Sequence, residues 1–184
     1  MSNKEFLTEE MFKKLGEDDK YFTKERWAHY EEILKYLKML DGIMEIDNIL
    51  EIGPYKAPFI VGSDIMDIKR YDYPIQINEF IEHNCSKTPL PIEDKKYDLV
   101  IASQVLEHLG IYGEQVKVFD ELERICNMAI ITLPYDWNVP NFRHHHRIDE
   151  FVFDTWASNR EYIYEEISGE DKDHRRILRI YKFE

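Results

Sequence analysis

The sequence predicts an α/β fold: a seven-stranded, mostly parallel sheet that ends in an antiparallel pair of strands. Three observations carry this. From residue 48 onward short apolar runs alternate with helical patterns, the arrangement of strands covered on both faces by their crossovers. One run, Asp98-Leu99-Val100-Ile101-Ala102, passes through Ser103-Gln104 into Val105-Leu106-Glu107-His108-Leu109, so a buried strand, a small polar exit and a helical turn build a ligand shelf. The end of the chain then changes character, with strand-like runs over 161–167 and 176–183 separated by Ser168-Gly169-Glu170-Asp171.

Taken in order, Thr8 opens either a short helix or, given the charge of residues 1–20, a mobile arm or lid. Thr23 is placed to cap a helix running to about Leu40, because Trp27, Tyr30, Ile33, Leu34, Leu37 and Leu40 recur at helical spacing. Strands are expected near 48–52, 59–64, 78–83, 98–102 and 128–133, and helical segments near 104–109, 114–126 and 149–158. The organisation expected is a helical arm over 1–47 and a sheet domain over 48–184, folded as one structural unit without repeats or linkers.

With 184 residues, 43% hydrophobic and 14% aromatic, the chain can bury a substantial core. A net charge of −13, with no Lys/Arg run longer than two, lacks the clustered cations that a phosphate backbone requires, so no nucleic-acid partner is expected. Cys85 and Cys126 are the only cysteines, which suits free thiols in a reducing compartment. The first residues have no apolar core of signal length and no window approaches a membrane span, so a cytoplasmic protein without a membrane partner is expected.

Asn48-Ile49-Leu50-Glu51-Ile52-Gly53-Pro54, Val61-Gly62-Ser63-Asp64-Ile65 and the shelf after Ala102 together resemble the class I S-adenosylmethionine-dependent methyltransferases, in their small-molecule and glycan branch, over about residues 48–183. The resemblance implies a Rossmann-like sheet and S-adenosylmethionine as cofactor. It places Glu51, Gly53 and Pro54 under the methionine half, and Asp64 with Ile65 at the ribose, Asp67 being a rival for that role. Asn84 and Cys85 fall at the adenine, with Ser86 as the alternative, and Ser103 and Gln104 on the shelf facing the sulfonium. One departure stands out: a single glycine is followed by Pro54-Tyr55-Lys56-Ala57-Pro58 and then directly by Phe59-Ile60-Val61. The first crossover helix is therefore expected to be shortened or absent, leaving a gap for the amino-terminal arm, or a second subunit in a homodimer, to cover.

Acceptor chemistry is expected after strand five, in Leu133-Pro134-Tyr135-Asp136-Trp137-Asn138 and Arg143-His144-His145-His146-Arg147-Ile148-Asp149. Tyr135 and Trp137 offer flat surfaces for a sugar or aromatic acceptor, and His108 borders the shelf. The resemblance turns His145 or His146 toward the acceptor as general base and makes Asp149 the cap of the next helix. Adjacent histidines cannot converge on one ion, so no metal is expected. The function these features suggest is methyl transfer to a small-molecule hydroxyl. The alternatives are a degenerate fold serving as a non-catalytic binding or assembly subunit and, with less support, a nucleotide-dependent dehydrogenase, for which the chain lacks the Gly-x-Gly-x-x-Gly turn.

Overall fold

The computed structural model describes residues 4–110, 113–137, 147–169 and 175–184. Its strands are β1 (Ile49–Ile52), β2 (Asp64–Asp67), β3 (Phe80–Glu82), β4 (Tyr97–Ser103), β5 (Cys126–Pro134), β6 (Tyr162–Ser168) and β7 (Arg176–Lys182). They form one seven-stranded sheet in the order β3-β2-β1-β4-β5-β7-β6. The first five strands are parallel, and β7 runs antiparallel to both β5 and β6. The order reverses between β1 and β4, which makes the crevice beyond their carboxyl ends the place where such sheets take ligands.

Period-two alternation sorts side chains to the two faces: on β4, Leu99 and Ile101 face one core, Val100 and Ala102 the other. The first face is covered by α1 (Glu9–Asp18) and α2 (Lys24–Ile43), whose Phe12, Ile33 and Leu37 are buried. The second carries α3 (Glu114–Ile125) and α4 (Glu150–Trp156), through Phe119, Leu122 and Phe153. The caps fall where their residue types predict. Thr8 Oγ1 accepts from Met11 N and Thr23 Oγ1 from Arg26 N, each at 3.3 Å, and Asp149 Oδ1 accepts from Val152 N at 2.9 Å.

Two elements differ from the sequence expectation. The helical segment expected over 104–109 is only a single 3₁₀ turn, Leu106–His108, ended by Leu109. The second strand lies at 64–67 rather than 59–64. Phe59 and Ile60 are apolar because they pack beneath the amino-terminal arm, with Phe59 stacked on Tyr30 at 4.7 Å, and not because they pair in the sheet core.

No helix links β1 to β2; the buried carboxylate of Glu51 organises the loop instead. It accepts from Phe59 N (2.7 Å), Ile60 N (2.9 Å) and Ser63 Oγ (2.8 Å), satisfying backbone donors that a crossover helix would have paired internally. The arm of the same chain closes the remaining gap. Leu7 N donates to Phe59 O and Val61 N to Glu5 O, both at 2.9 Å. At the end of α1, Asp19 accepts from Tyr55 Oη (2.7 Å) and Lys56 Nζ (2.8 Å), and the Lys56 hydrogen bond is the main reason its carboxyl falls to about 2.

Candidate active site

A cleft of about 510 Å³ opens at the carboxyl ends of the parallel strands, within the roughly 300–1,000 Å³ span of small-molecule sites. The first four strands deliver the lining. The loop after β1 brings Gly53, β2 ends in Asp67, the loop after β3 brings Asn84 and Cys85, and β4 exits through Gln104 to Val105, His108 and Leu109. Tyr21, Tyr55 and Tyr71 form an aromatic rim, Tyr55 meeting Tyr71 edge-on at 4.7 Å and Tyr21 at 5.2 Å.

Gly53 has φ +61, its N–H donates to Met66 O at 2.8 Å, and an added Cβ would lie 3.0 Å from Val105 Cγ2. Backbone conformation and close approach both call for glycine at this point. Asp67 is half-buried at the cleft; burial raises its carboxyl above the usual range, against the backbone N–H of Ile68 at 2.7 Å. Asn84 Oδ1 accepts from Ser86 N at 3.0 Å in a local turn, and burial pushes the Cys85 thiol up to about 11.

Several of the residues expected at the cofactor lie elsewhere. Asp64 begins β2, at the end away from the cleft, where its carboxylate accepts from Tyr97 Oη (2.9 Å) and Asn78 Nδ2 (2.7 Å). Because the strand ends three residues later than expected, the carboxylate at its carboxyl end is Asp67 and not Asp64. Glu51 faces the opposite core as the loop pin, and Pro54 and Ile65 are buried behind the cleft lining. Ser103 is turned toward α2 rather than into the cleft, whereas Gln104 and His108 line it.

Beyond the shelf sits a polar cluster that joins Ser103, expected at the site, to residues the sequence did not single out. Ser103 and Thr132, cross-strand partners at the ends of β4 and β5, approach within 3.0 Å, and His29 Nε2 from α2 meets Ser103 Oγ at 3.2 Å. Burial holds the His29 imidazole neutral, with its pKa near 3. Glu107, only 2% exposed, follows on the 3₁₀ turn; burial raises its carboxyl to about 8, although Arg176 and Arg26 pull it down. The Arg26 guanidinium lies 3.6 Å over the ring of Tyr21, and that of Arg176 lies 4.0 Å over Trp137. Trp137 Nε1 donates to Arg175 O at 2.8 Å, and Tyr135 Oη donates to Glu150 at 2.7 Å. Ser103, Tyr135 and Trp137 were expected at the site; Arg176 had as its only signal a cation opening an apolar strand, and His29 and Arg26 lie in the helical pattern and reach the site through the packing of α2. His145 and His146 lie outside the described residues. Among the described residues no group of His, Cys, Asp and Glu is arranged to hold a metal.

Strand order, an antiparallel last strand and a glycine and a carboxylate at the ends of the first two strands define a class: the fold is that of the class I S-adenosylmethionine-dependent methyltransferases. Residues 63–128 match the family model of a methyltransferase domain. Among solved structures, the N-methyltransferase NodS from Bradyrhizobium japonicum WM9 in complex with S-adenosyl-L-homocysteine is similar at 14% identity, over 88% of this chain and 88% of that one, with a TM-score of 0.63. The magnesium protoporphyrin IX methyltransferase ChlM from Synechocystis PCC 6803, with bound S-adenosylmethionine, is similar at 12% identity over 86% of this chain and 80% of that one, TM-score 0.58. TehB from Haemophilus influenzae is similar at 9% identity over 80% of this chain and 61% of that one, TM-score 0.57. No curated protein matches the sequence. Among the described residues no helix is long and apolar enough to cross a membrane.

Proposed function

We propose that the chain is an S-adenosylmethionine-dependent methyltransferase acting on a hydroxyl of a small-molecule acceptor, such as a sugar. The observation that carries this reading is that Asp67 and Gly53 line a single cleft at the switch point of the sheet. These residues fit the cofactor: a carboxylate for ribose hydroxyls, a glycine that admits close approach, and apolar walls from Ile52, Met66, Val105 and Leu109. In this reading Asn84 and Cys85 border the adenine, and Gln104 and His108 face the reacting end. When bound, the cofactor supplies an activated methyl group on sulfur. The chain then has to position the acceptor and remove water and a proton. Glu107 is preferred to His145 or His146 as proton acceptor because it is a buried carboxyl with one unpartnered oxygen and an affinity for protons near neutrality. Tyr135 and Trp137 belong to the acceptor side, although both are also tied into the fold through their polar atoms.

Calorimetric titration with S-adenosylmethionine and S-adenosylhomocysteine tests the reading. Micromolar binding that weakens at least tenfold in Asp67→Ala and is unchanged in Asp64→Ala is the expected result. Absence of binding to either ligand overturns it in favour of a non-catalytic subunit.

A further inference from the structure

The polar cluster beside the cleft is incompletely satisfied. Six buried side-chain polar atoms have no hydrogen-bond partner among the described residues, and three of them, His29 Nδ1, Glu107 Oε2 and Arg176 Nε, belong to this cluster. A buried polar atom without a partner is costly, so three in one place mark a surface shaped for something other than its own chain. Its charge is equally uneven. Arg26 and Arg176 act together on Glu107 and on His29. His29 is neutral, so among the described residues of the cluster two guanidinium groups face one carboxyl, in a chain whose net charge is −13. Both guanidinium groups lie over aromatic rings, Arg26 over Tyr21 and Arg176 over Trp137, which holds each cation in place beside the cleft, and a guanidinium is the side chain best suited to bidentate contact with an oxyanion. Placement completes the argument: Tyr21 also lines the cleft, and Arg176 pairs with Pro134 at the carboxyl end of β5. The cluster therefore borders the cleft through Tyr21 and lies at the carboxyl ends of the strands, where such sheets take ligands.

We propose that the acceptor is anionic, carrying a carboxylate or phosphate that Arg26 and Arg176 receive while Glu107 and His29 face its reacting hydroxyl. This rests on the methyltransferase reading. An acidic sugar or a phosphorylated metabolite brings a charge opposite to the two guanidinium groups, which a neutral sugar does not.

Trp137 under Arg176 provides a reporter. With the protein held in S-adenosylhomocysteine, tryptophan fluorescence is followed while sodium phosphate, and separately sodium acetate, replaces sodium chloride at constant ionic strength. The expected result is a saturable change for at least one anion, absent in Trp137→Phe and shifted at least tenfold to higher concentration in Arg176→Gln and in Arg26→Gln. The anion that saturates at lower concentration identifies the phosphate or the carboxylate class. Arg26→Gln, on a half-buried helix position, serves alone if Arg176→Gln does not fold, and Arg160→Gln, whose guanidinium pairs with Asp120 and Glu123, is the control. No saturable response to either anion, or a response unchanged in the arginine variants, overturns the proposal while leaving the methyltransferase reading standing. Failure of the wild-type protein to bind S-adenosylhomocysteine overturns that reading and this inference together.

Discussion

Glu107 sits in a contest between burial, which raises its carboxyl, and two arginines, which lower it; burial wins and sets it at about 8. A general base must be deprotonated to act, so its fraction in the working form rises with pH up to that value. Methyl transfer to a hydroxyl acceptor is expected to increase about tenfold per pH unit below about 8 and then level. Glu107→Gln is expected to flatten this profile and lower the rate by roughly 10²–10⁴, and a pH–rate series on both proteins checks it. An unchanged rate in Glu107→Gln would return the role to His145 or His146. At Gly53 the backbone is already left-handed, and a methyl group would press on Val105. Gly53→Ala should weaken S-adenosylhomocysteine binding at least tenfold by calorimetry, with a smaller loss of stability of about 1–2 kcal/mol from the strained backbone.

Among the elements, the loop between β1 and β2 is the most unusual, because one carboxylate does the work of a helix. Glu51→Ala strands two backbone N–H groups in a site that is 1% exposed. Roughly 1–3 kcal/mol should be lost for each such group, measurable by urea denaturation. Burial also raises Glu51 to about 7 from an ordinary 4.5, despite its three donors. The native state therefore holds this proton more tightly than the unfolded chain. Its contribution to stability is full below the ordinary carboxyl range and is lost as pH rises to about 7, and Glu107 acts in the same direction up to about 8. The urea midpoint should accordingly fall between pH 5 and 8, by less in Glu107→Gln. The caps were legible as elements because Thr8, Thr23 and Asp149 act on donors two or three residues away. The second strand was not, because Asp64-Ile65-Met66-Asp67 reads as a turn, while Phe59-Ile60-Val61 has a strand's composition.

For the whole molecule, the amino-terminal arm is part of the fold. Leu7, Phe12 and Phe22 are 2%, 1% and 6% exposed, and each contributes about 1.5–3 kcal/mol by burial. Their combined loss is comparable with the roughly 5–15 kcal/mol that separates folded from unfolded domains. Removal of residues 1–23 should leave a chain without cooperative melting by circular dichroism and without S-adenosylhomocysteine affinity, since Tyr21 is also lost from the cleft. A truncated chain that melts cooperatively would show the arm to be an accessory instead.

Periodicity, capping and turn chemistry act over a few residues, so the fold class, the antiparallel end of the sheet, the helix caps and a first crossover helix shortened or absent were legible in the sequence, while Gly53, Asn84, Cys85 and Gln104 were named through the family resemblance. Long-range packing was needed to settle that Asp67 and not Asp64 ends the second strand at the cleft, that Glu51 turns away to hold a loop, and that Arg176 lies near both His29 and Glu107. Those outcomes depend on strand register and on the packing of α2 against strand ends far away in the chain, and a one-residue slip in either changes which face each side chain reaches.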